Sequence, residues 1–450
     1  MNRSEGSDIR VLFAVSGGPY EICLAASIAA SMPEAKFLFL GTNWSQAFYL
    51  KTMGLRCSTM PWRFSLSAPT ILPPILDVRW KGYSHDFVPL LIRRAFGTLT
   101  DFVRREVERF HPTVVLYVAP EHALAYSIID IAEAKGIPAI GIQKIFMKDH
   151  VFVHNLGRSW QSHIQSQHIP LADYTNMPKA TTLAQFWRNS AEDARRMKRL
   201  QGSCYTWLNR LERFFRVATG SVSFDTVHGL CAMSKEKILQ AVLGNMSNLG
   251  APVIRDDIPN GHVLVALHRP VLASTYPTWI DLLSFSLAAT PDDVPIIIRP
   301  HPDERKLPLP PSLEKALRTR GVRISRPGKG ATLEELLRQS SAMFTLTSAA
   351  GMQALAAGVP TFTLGPAFYA RPGLARQVTL LDAPLVRDAL KQPDNFRPNP
   401  DDVQKFVDWL CRAYMTPAPA CAPHVIPAHA IAQRIHGIVA ATKINPSILR

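Results

Sequence analysis

Arg299 and His301 close a β-branched run at 294–298, with Pro300 and Pro302 on either side of the histidine. Guanidinium and imidazole placed side by side form a candidate phosphate clamp. Both donate to anionic oxygens, and the prolines restrict the backbone that carries them. Another apolar run, 262–267, ends in His268, Arg269 and Pro270. A third, 343–346, ends in Thr347 and Ser348, followed by Ala349, Ala350 and Gly351. Hydroxyls at a strand's end, small residues and the start of a helix (352–357, with Gln353 one residue in) suit an anion, because free N–H groups and the positive helix end face it. The plainer alternative is an ordinary strand–helix crossover whose serine caps the helix. Three strands in succession that deliver polar groups to one sheet edge favour a nucleotide or sugar-phosphate site, since open α/β sheets bind ligands at that edge.

General acid–base candidates lie in the first half. Glu121 and His122 follow the run 113–118, and Asp149 and His150 follow the run 139–142. Each alone reads as a solvated loop charge. Set at the ends of neighbouring strands, they form a candidate catalytic group.

The elements that must position these residues alternate strand and helix. Strands are expected at 9–15, 36–40, 113–118 and 139–142, with helices at 20–32, 88–110 and 123–135 between them. A second series runs strand 262–267, helix 279–289, strand 294–301, helix 312–320, strand 322–325, helix 332–340, then the unit 343–365. This is parallel α/β patterning. The first turn, Ser16-Gly17-Gly18-Pro19, lacks the full dinucleotide fingerprint. With 450 residues the chain is long enough for two such domains. We expect an N-terminal domain over 1–220, a C-terminal nucleotide-sugar domain over 221–415, and a Pro/Ala-rich linker with a terminal helix over 416–450. That last helix, 428–442, is a candidate to cross back onto the first domain.

Composition narrows the class. Hydrophobic residues make up 47% and charged ones 19%, which fits a globular chain rather than a disordered one. Six scattered cysteines without a CxxC pair fit a reducing cytoplasm and argue against a structural zinc, and no metal is expected. A net charge of +15 calls for an anionic partner. Nucleic acid is not expected, because aromatic and basic residues are not interleaved as its motifs require. Basic residues crowd the helical stretch 180–218, from Arg188 to Arg216, so an anionic membrane surface is a candidate partner. The other reading of that stretch is a helix packed on its own domain with a solvated basic face. The chain opens without the apolar core of a signal peptide and holds no apolar run of spanning length. Its expected place is cytoplasmic, with a peripheral seat on the inner face of the cell membrane.

The motif Arg299-Pro300-His301-Pro302-Asp303 and the stretch 347–365 together resemble the bacterial capsule polysaccharide biosynthesis glycosyltransferases, including those that transfer Kdo from CMP-Kdo. The resemblance covers about 260–370. It implies two Rossmann-like domains facing a cleft, the GT-B class, with the donor mostly on the second. It also implies that His301 contacts the cytidine phosphate while Thr347 and Ser348 hold it; Arg299, His301 and the helix after Ser348 are then expected to neutralise the departing phosphate without a metal or other cofactor. The expected reaction moves Kdo or a related 2-keto acid sugar from a CMP-activated donor to a surface polysaccharide or its lipid-linked primer. Glu121 and Asp149 are the candidates for deprotonating the acceptor or attacking the sugar. The run 263–270 is also similar to UDP-GlcNAc 2-epimerases, but their glycine- and glutamate-bearing motifs are replaced here by Thr347–Gln353. A membrane-surface binding protein that kept the fold without activity is the remaining alternative.

Overall fold

Apolar runs that are buried on both faces become the inner strands of two largely parallel sheets. A computed structural model describes residues 9–15, 19–60, 87–118, 123–143, 150–157, 160–167, 211, 257–267, 279–301, 309–326, 331–418 and 428–444, without the side chains of 19–20, 87–95, 160, 162 and 443–444. The first unit runs β1 (Arg10–Val15), α1 (Pro19–Ala30), β2 (Lys36–Gly41), α2 (Trp44–Thr52), β3 (Cys57–Thr59), α3 (Phe87–Phe110), β4 (Val114–Tyr117), α4 (Ala123–Ala134), β5 (Ala139–Gln143), β6 (His150–His154) and α5 (Trp160–Ser166). The second runs β7 (His262–Ala266), α6 (Trp279–Ala289), β8 (Ile296–Arg299), α7 (Pro311–Thr319), β9 (Arg323–Ile324), α8 (Leu333–Arg338), β10 (Ser340–Thr345), α9 (Ala350–Ala356), β11 (Thr361–Thr363), β12 (Arg376–Gln377), α10 (Ala383–Ala389) and α11 (Pro400–Ala413). β13 (Met415–Pro417) and α12 (His429–Ile444) follow.

In the second sheet the order is β12-β11-β10-β7-β8-β9, with every pairing parallel. Counted from its first strand, this is the doubly wound 3-2-1-4-5-6 order, which reverses between β7 and β10. The first sheet repeats the scheme as β3-β2-β1-β4-β5, then adds β6 and β13 antiparallel at one edge. Val11, Phe13 and Val15 of β1 are buried on one face, and Leu12 and Ala14 on the other, the signature of a strand covered by helices on both sides. The chain is therefore α/β with two Rossmann-like sheets, the GT-B-like class expected from the sequence.

Local signals set several boundaries. Pro311 opens α7 where its missing N–H costs nothing. Thr332 and Glu335 cap α8 reciprocally, and the Glu335 N–H donates to Thr332 Oγ1 at 3.2 Å. α2, β3, β6 and α11 were not anticipated. Thr416 and Pro417, which read as the start of a linker, instead belong to the edge strand β13, where Met415 pairs with Phe152. Beyond it, α12 buries Ile431, Ala432, Ile435 and Val439 against Val11, Phe13 and Ile28 of the first unit. The chain thus returns to the sheet it started from. The basic stretch 180–218 lies outside the described residues apart from 211.

Candidate functional site

The three strand ends singled out from the sequence are level with one another. In register, Ala266 of β7 stands opposite Arg299 of β8 on one side and Thr345 of β10 on the other. Residues leaving these strands therefore emerge together at the carboxyl edge, and the crevice of a doubly wound sheet lies where the order reverses, between β7 and β10. His301 follows Arg299, and Thr347 and Ser348 follow Thr345. His268 and Arg269 follow Ala266 in the chain but lie outside the described residues.

Thr345, unremarked as a site residue in the sequence, knits the crevice. Its hydroxyl donates to Ala266 O at 3.1 Å and accepts from Ser348 N–H at 3.4 Å. The turn after it is held by Ser348. The Ser348 Oγ accepts from Ala350 N–H at 3.2 Å, and its carbonyl accepts from Gly351 N–H at 2.9 Å. The capping role is thus present, and it leaves the Ser348 O–H able to donate to a bound oxygen. Tyr369 braces the same carbonyl from a distant loop, donating its phenol at 2.5 Å. That ring also explains Gly351. A Cβ there would stand 2.2 Å from the Tyr369 oxygen, so the small residue makes room for the tyrosine. Gly365 acts alike, since a Cβ would meet the Thr347 methyl at 2.8 Å. Gln353 is half-buried within α9.

Arg299 is largely occupied by the protein itself. Its Nη1 donates to Ser325 Oγ at 3.2 Å and to Ala331 O at 3.0 Å. Both partners are neutral, so the guanidinium keeps its charge beneath the edge, although burial lowers its pKa. His301 is half-buried at the same edge.

The acid–base candidates belong to the first unit's part of the chain. β4 and β5 are neighbours in register, Tyr117 opposite Gly141. Glu121, His122 and Asp149 themselves lie outside the described residues. His150 opens β6, which runs antiparallel to β5. As the first residue of an antiparallel strand, rather than one following a parallel strand, it still lies at the carboxyl end of β5. Beneath this edge lies a buried polar group missed in the sequence. Leu156 N–H donates to His154 Nδ1 at 3.2 Å, so the neutral ring carries its proton on Nε2, 2.9 Å from the Gln143 amide. The amide oxygen is the end that can accept it. Burial pulls His154 down to about 3. Gly141 admits the ring, since a Cβ would lie 2.5 Å from His154 Nε2.

Among the described residues, no group of three or more His, Cys, Asp or Glu is placed to hold a metal ion. No helix among them is long and apolar enough to cross a membrane.

Residues 265–395 match the family model of the capsule polysaccharide biosynthesis protein. That span takes in the β8 and β10 ends and the whole turn 345–351. No curated protein matches the chain. Among solved structures, the UDP-GlcNAc 2-epimerase from Neisseria meningitidis bound to UDP-GlcNAc is similar at 12% identity over 96% of this chain and 100% of its own, with a TM-score of 0.32. A spinosyn rhamnosyltransferase is similar at 14% identity, over 96% and 100%, with a TM-score of 0.33. A glycosyltransferase from Streptomyces nogalater is similar at 15%, over 89% and 99%, with a TM-score of 0.27. The strand orders, not these likenesses, define the fold.

Proposed function

We propose that the protein is a glycosyltransferase that takes Kdo or a related 2-keto acid sugar from a CMP-activated donor and adds it to a surface polysaccharide or its lipid-linked primer. The observation that carries this reading is the levelling of Ala266, Arg299 and Thr345 at the reversal point of the second sheet, within the region matched to capsule biosynthesis. The donor's phosphate would lie against Ser348 and His301, with Arg299 as a fixed positive charge beneath it and His268 and Arg269 contributed by the β7 end. When the glycosidic bond breaks, charge gathers on the leaving phosphate. Donors already in place stabilise it without reorganising. No metal is needed for that step in this reading. Glu121 or Asp149, carried on the first unit, would deprotonate the acceptor hydroxyl or attack the anomeric carbon.

A thermal-shift comparison of CMP, CDP, UDP and GDP tests the donor. A nucleotide that binds only the folded chain raises its stability by mass action, by about 2.7 kcal/mol at a hundredfold excess over Kd. CMP is expected to give the largest shift. Stabilisation by UDP alone would move the reading to the UDP-GlcNAc 2-epimerase type. The excess of positive charge supports a second element, a peripheral seat on anionic lipid, each basic residue near the surface contributing about 1 kcal/mol. Sedimentation with anionic vesicles should then weaken with salt. Equal binding to neutral vesicles would remove the membrane from the account.

A further inference from the structure

A second cavity, of about 410 Å³, lies beside the edge strand β12, and Arg371, Arg376, Arg397, Asn395, Phe362 and Phe396 contribute to its lining. Its volume falls in the range of small-ligand sites, about 300–1,000 Å³. It is separate from the β7–β10 crevice. Arg397 donates to Gly358 O, which precedes β11, so this wall stands at the amino-terminal ends of the strands. Three guanidiniums contribute to the lining and no carboxylate does. Two carboxylates stand close by: Asp394 is bonded to Arg397 Nε at 2.6 Å, and Asp402 Oδ2 lies 3.6 Å from where a Cβ on the lining residue Gly373 would be. Arg371 is committed to neutral groups. It donates to the Ile164 and Gln167 carbonyls and lies over the rings of Phe406 and Trp409. These partners fix its position and leave its charge. Arg376 is exposed on β12, and its side chain makes no hydrogen bond or ion pair among the described residues. Its positive charge acts on Asp382 only through space. Phe396 supplies a half-buried ring, with Phe362 beneath it at 6.1 Å between centroids.

Excess positive charge next to an aromatic ring suits a ligand with one anionic group and one apolar face. We propose that this cavity is a second glycan-binding site, taking a sugar that bears a carboxylate or a phosphate monoester. The anionic group lies against Arg376, and the sugar's C–H face lies on Phe396. The proposal rests on the transferase reading only in making the occupant a segment of the glycan, and its test does not involve turnover. Arg371 ties the cavity to α5 of the first unit, so an occupied site would steady the contact between the two units.

The test is titration of the full-length protein with glucuronate, glucose 1-phosphate, glucose and inorganic phosphate, followed by saturation-transfer NMR and calorimetry without nucleotide. The two acidic sugars are expected to bind saturably and glucose not to bind. Arg376→Ala should weaken the acidic sugars roughly tenfold, the size of one charge-assisted hydrogen bond, while leaving the CMP response unchanged. Arg376→Lys should recover part of the loss. Displacement of glucuronate by CMP would place the sugar in the crevice and overturn the proposal. Inorganic phosphate binding as tightly as glucose 1-phosphate would overturn the sugar component. If Arg376 served only to keep β12 from pairing with another sheet, Arg376→Ala would self-associate and bind acidic sugars as before, which also overturns it. Failure of the unaltered protein to bind either acidic sugar, with CMP binding intact, would overturn the proposal and leave the donor reading standing.

Discussion

Acidification should destabilise the first unit through His154. Its ring is fully buried, held by Leu156 N–H and the Gln143 amide, and drawn down to about 3 from an ordinary value of 6.5. Between these limits the unfolded chain binds a proton that the folded chain does not. Stability therefore rises with pH across that window and is lost as pH falls from about 6.5 towards 3. The slope is about 1.4 kcal/mol per pH unit, so lowering the pH from about 6.5 to about 4.5 should cost on the order of 2–3 kcal/mol. Carboxylates titrate in the lower part of the window, so the comparison is with His154→Asn, whose side-chain oxygen can still accept from Leu156 N–H. Urea unfolding at several pH values should show a shallower dependence in the variant, by about that slope between about pH 6 and 5. Equal slopes in the two proteins, or a His154 resonance titrating near its ordinary value in the folded protein, would refute the assignment.

Three further outcomes are expected. Gly351→Ala should cost about 1–3 kcal/mol in thermal or urea unfolding, because its Cβ drives Tyr369 off the Ser348 carbonyl; unchanged stability with lost nucleotide binding would mean that the glycine serves the ligand instead. Arg371→Ala should loosen α5 by about 1.5–3 kcal/mol, the value of hydrogen bonds from a charged donor, read as faster hydrogen exchange around residues 164–167 with the β7–β8 core unaffected. His301→Ala should lower turnover by a factor of roughly 10² to 10³ at unchanged melting temperature; a fall in both would make the histidine a structural cap.

The parallel α/β class was legible because buried strands announce themselves as continuous apolar runs. Residues 9–15, 113–118 and 294–298 needed no context to be read. That the ends of β7, β8 and β10 share one edge was inferable from the strand–helix alternation, since parallel strands point their carboxyl ends the same way; that β10 lies beside β7 rather than beside β9 was not. Other features were hidden because their causes are distant in sequence. Tyr369 reaches Ser348 across a loop, and nothing near Gly351 says that a ring fills the space above it. β13 was masked by its composition. Proline suits only an edge position, and Pro417 is tolerated because β13 is the outermost strand of its sheet. His150 read as a residue following a strand because a reversal of direction after β5 leaves no mark in a parallel pattern. Arg299 shows what residue type and place leave out. Its type and place suggested a ligand contact, while its Nη1 is bonded to Ser325 and Ala331.

Incubation of the full-length protein with CMP-Kdo, a glycolipid primer and, in parallel, UDP-GlcNAc tests the central claim most directly, with released nucleotide and labelled product both quantified. CMP release matched by Kdo in the lipid-linked product is expected, both lowered in step by His301→Ala. Turnover of UDP-GlcNAc with CMP-Kdo left intact would contradict it.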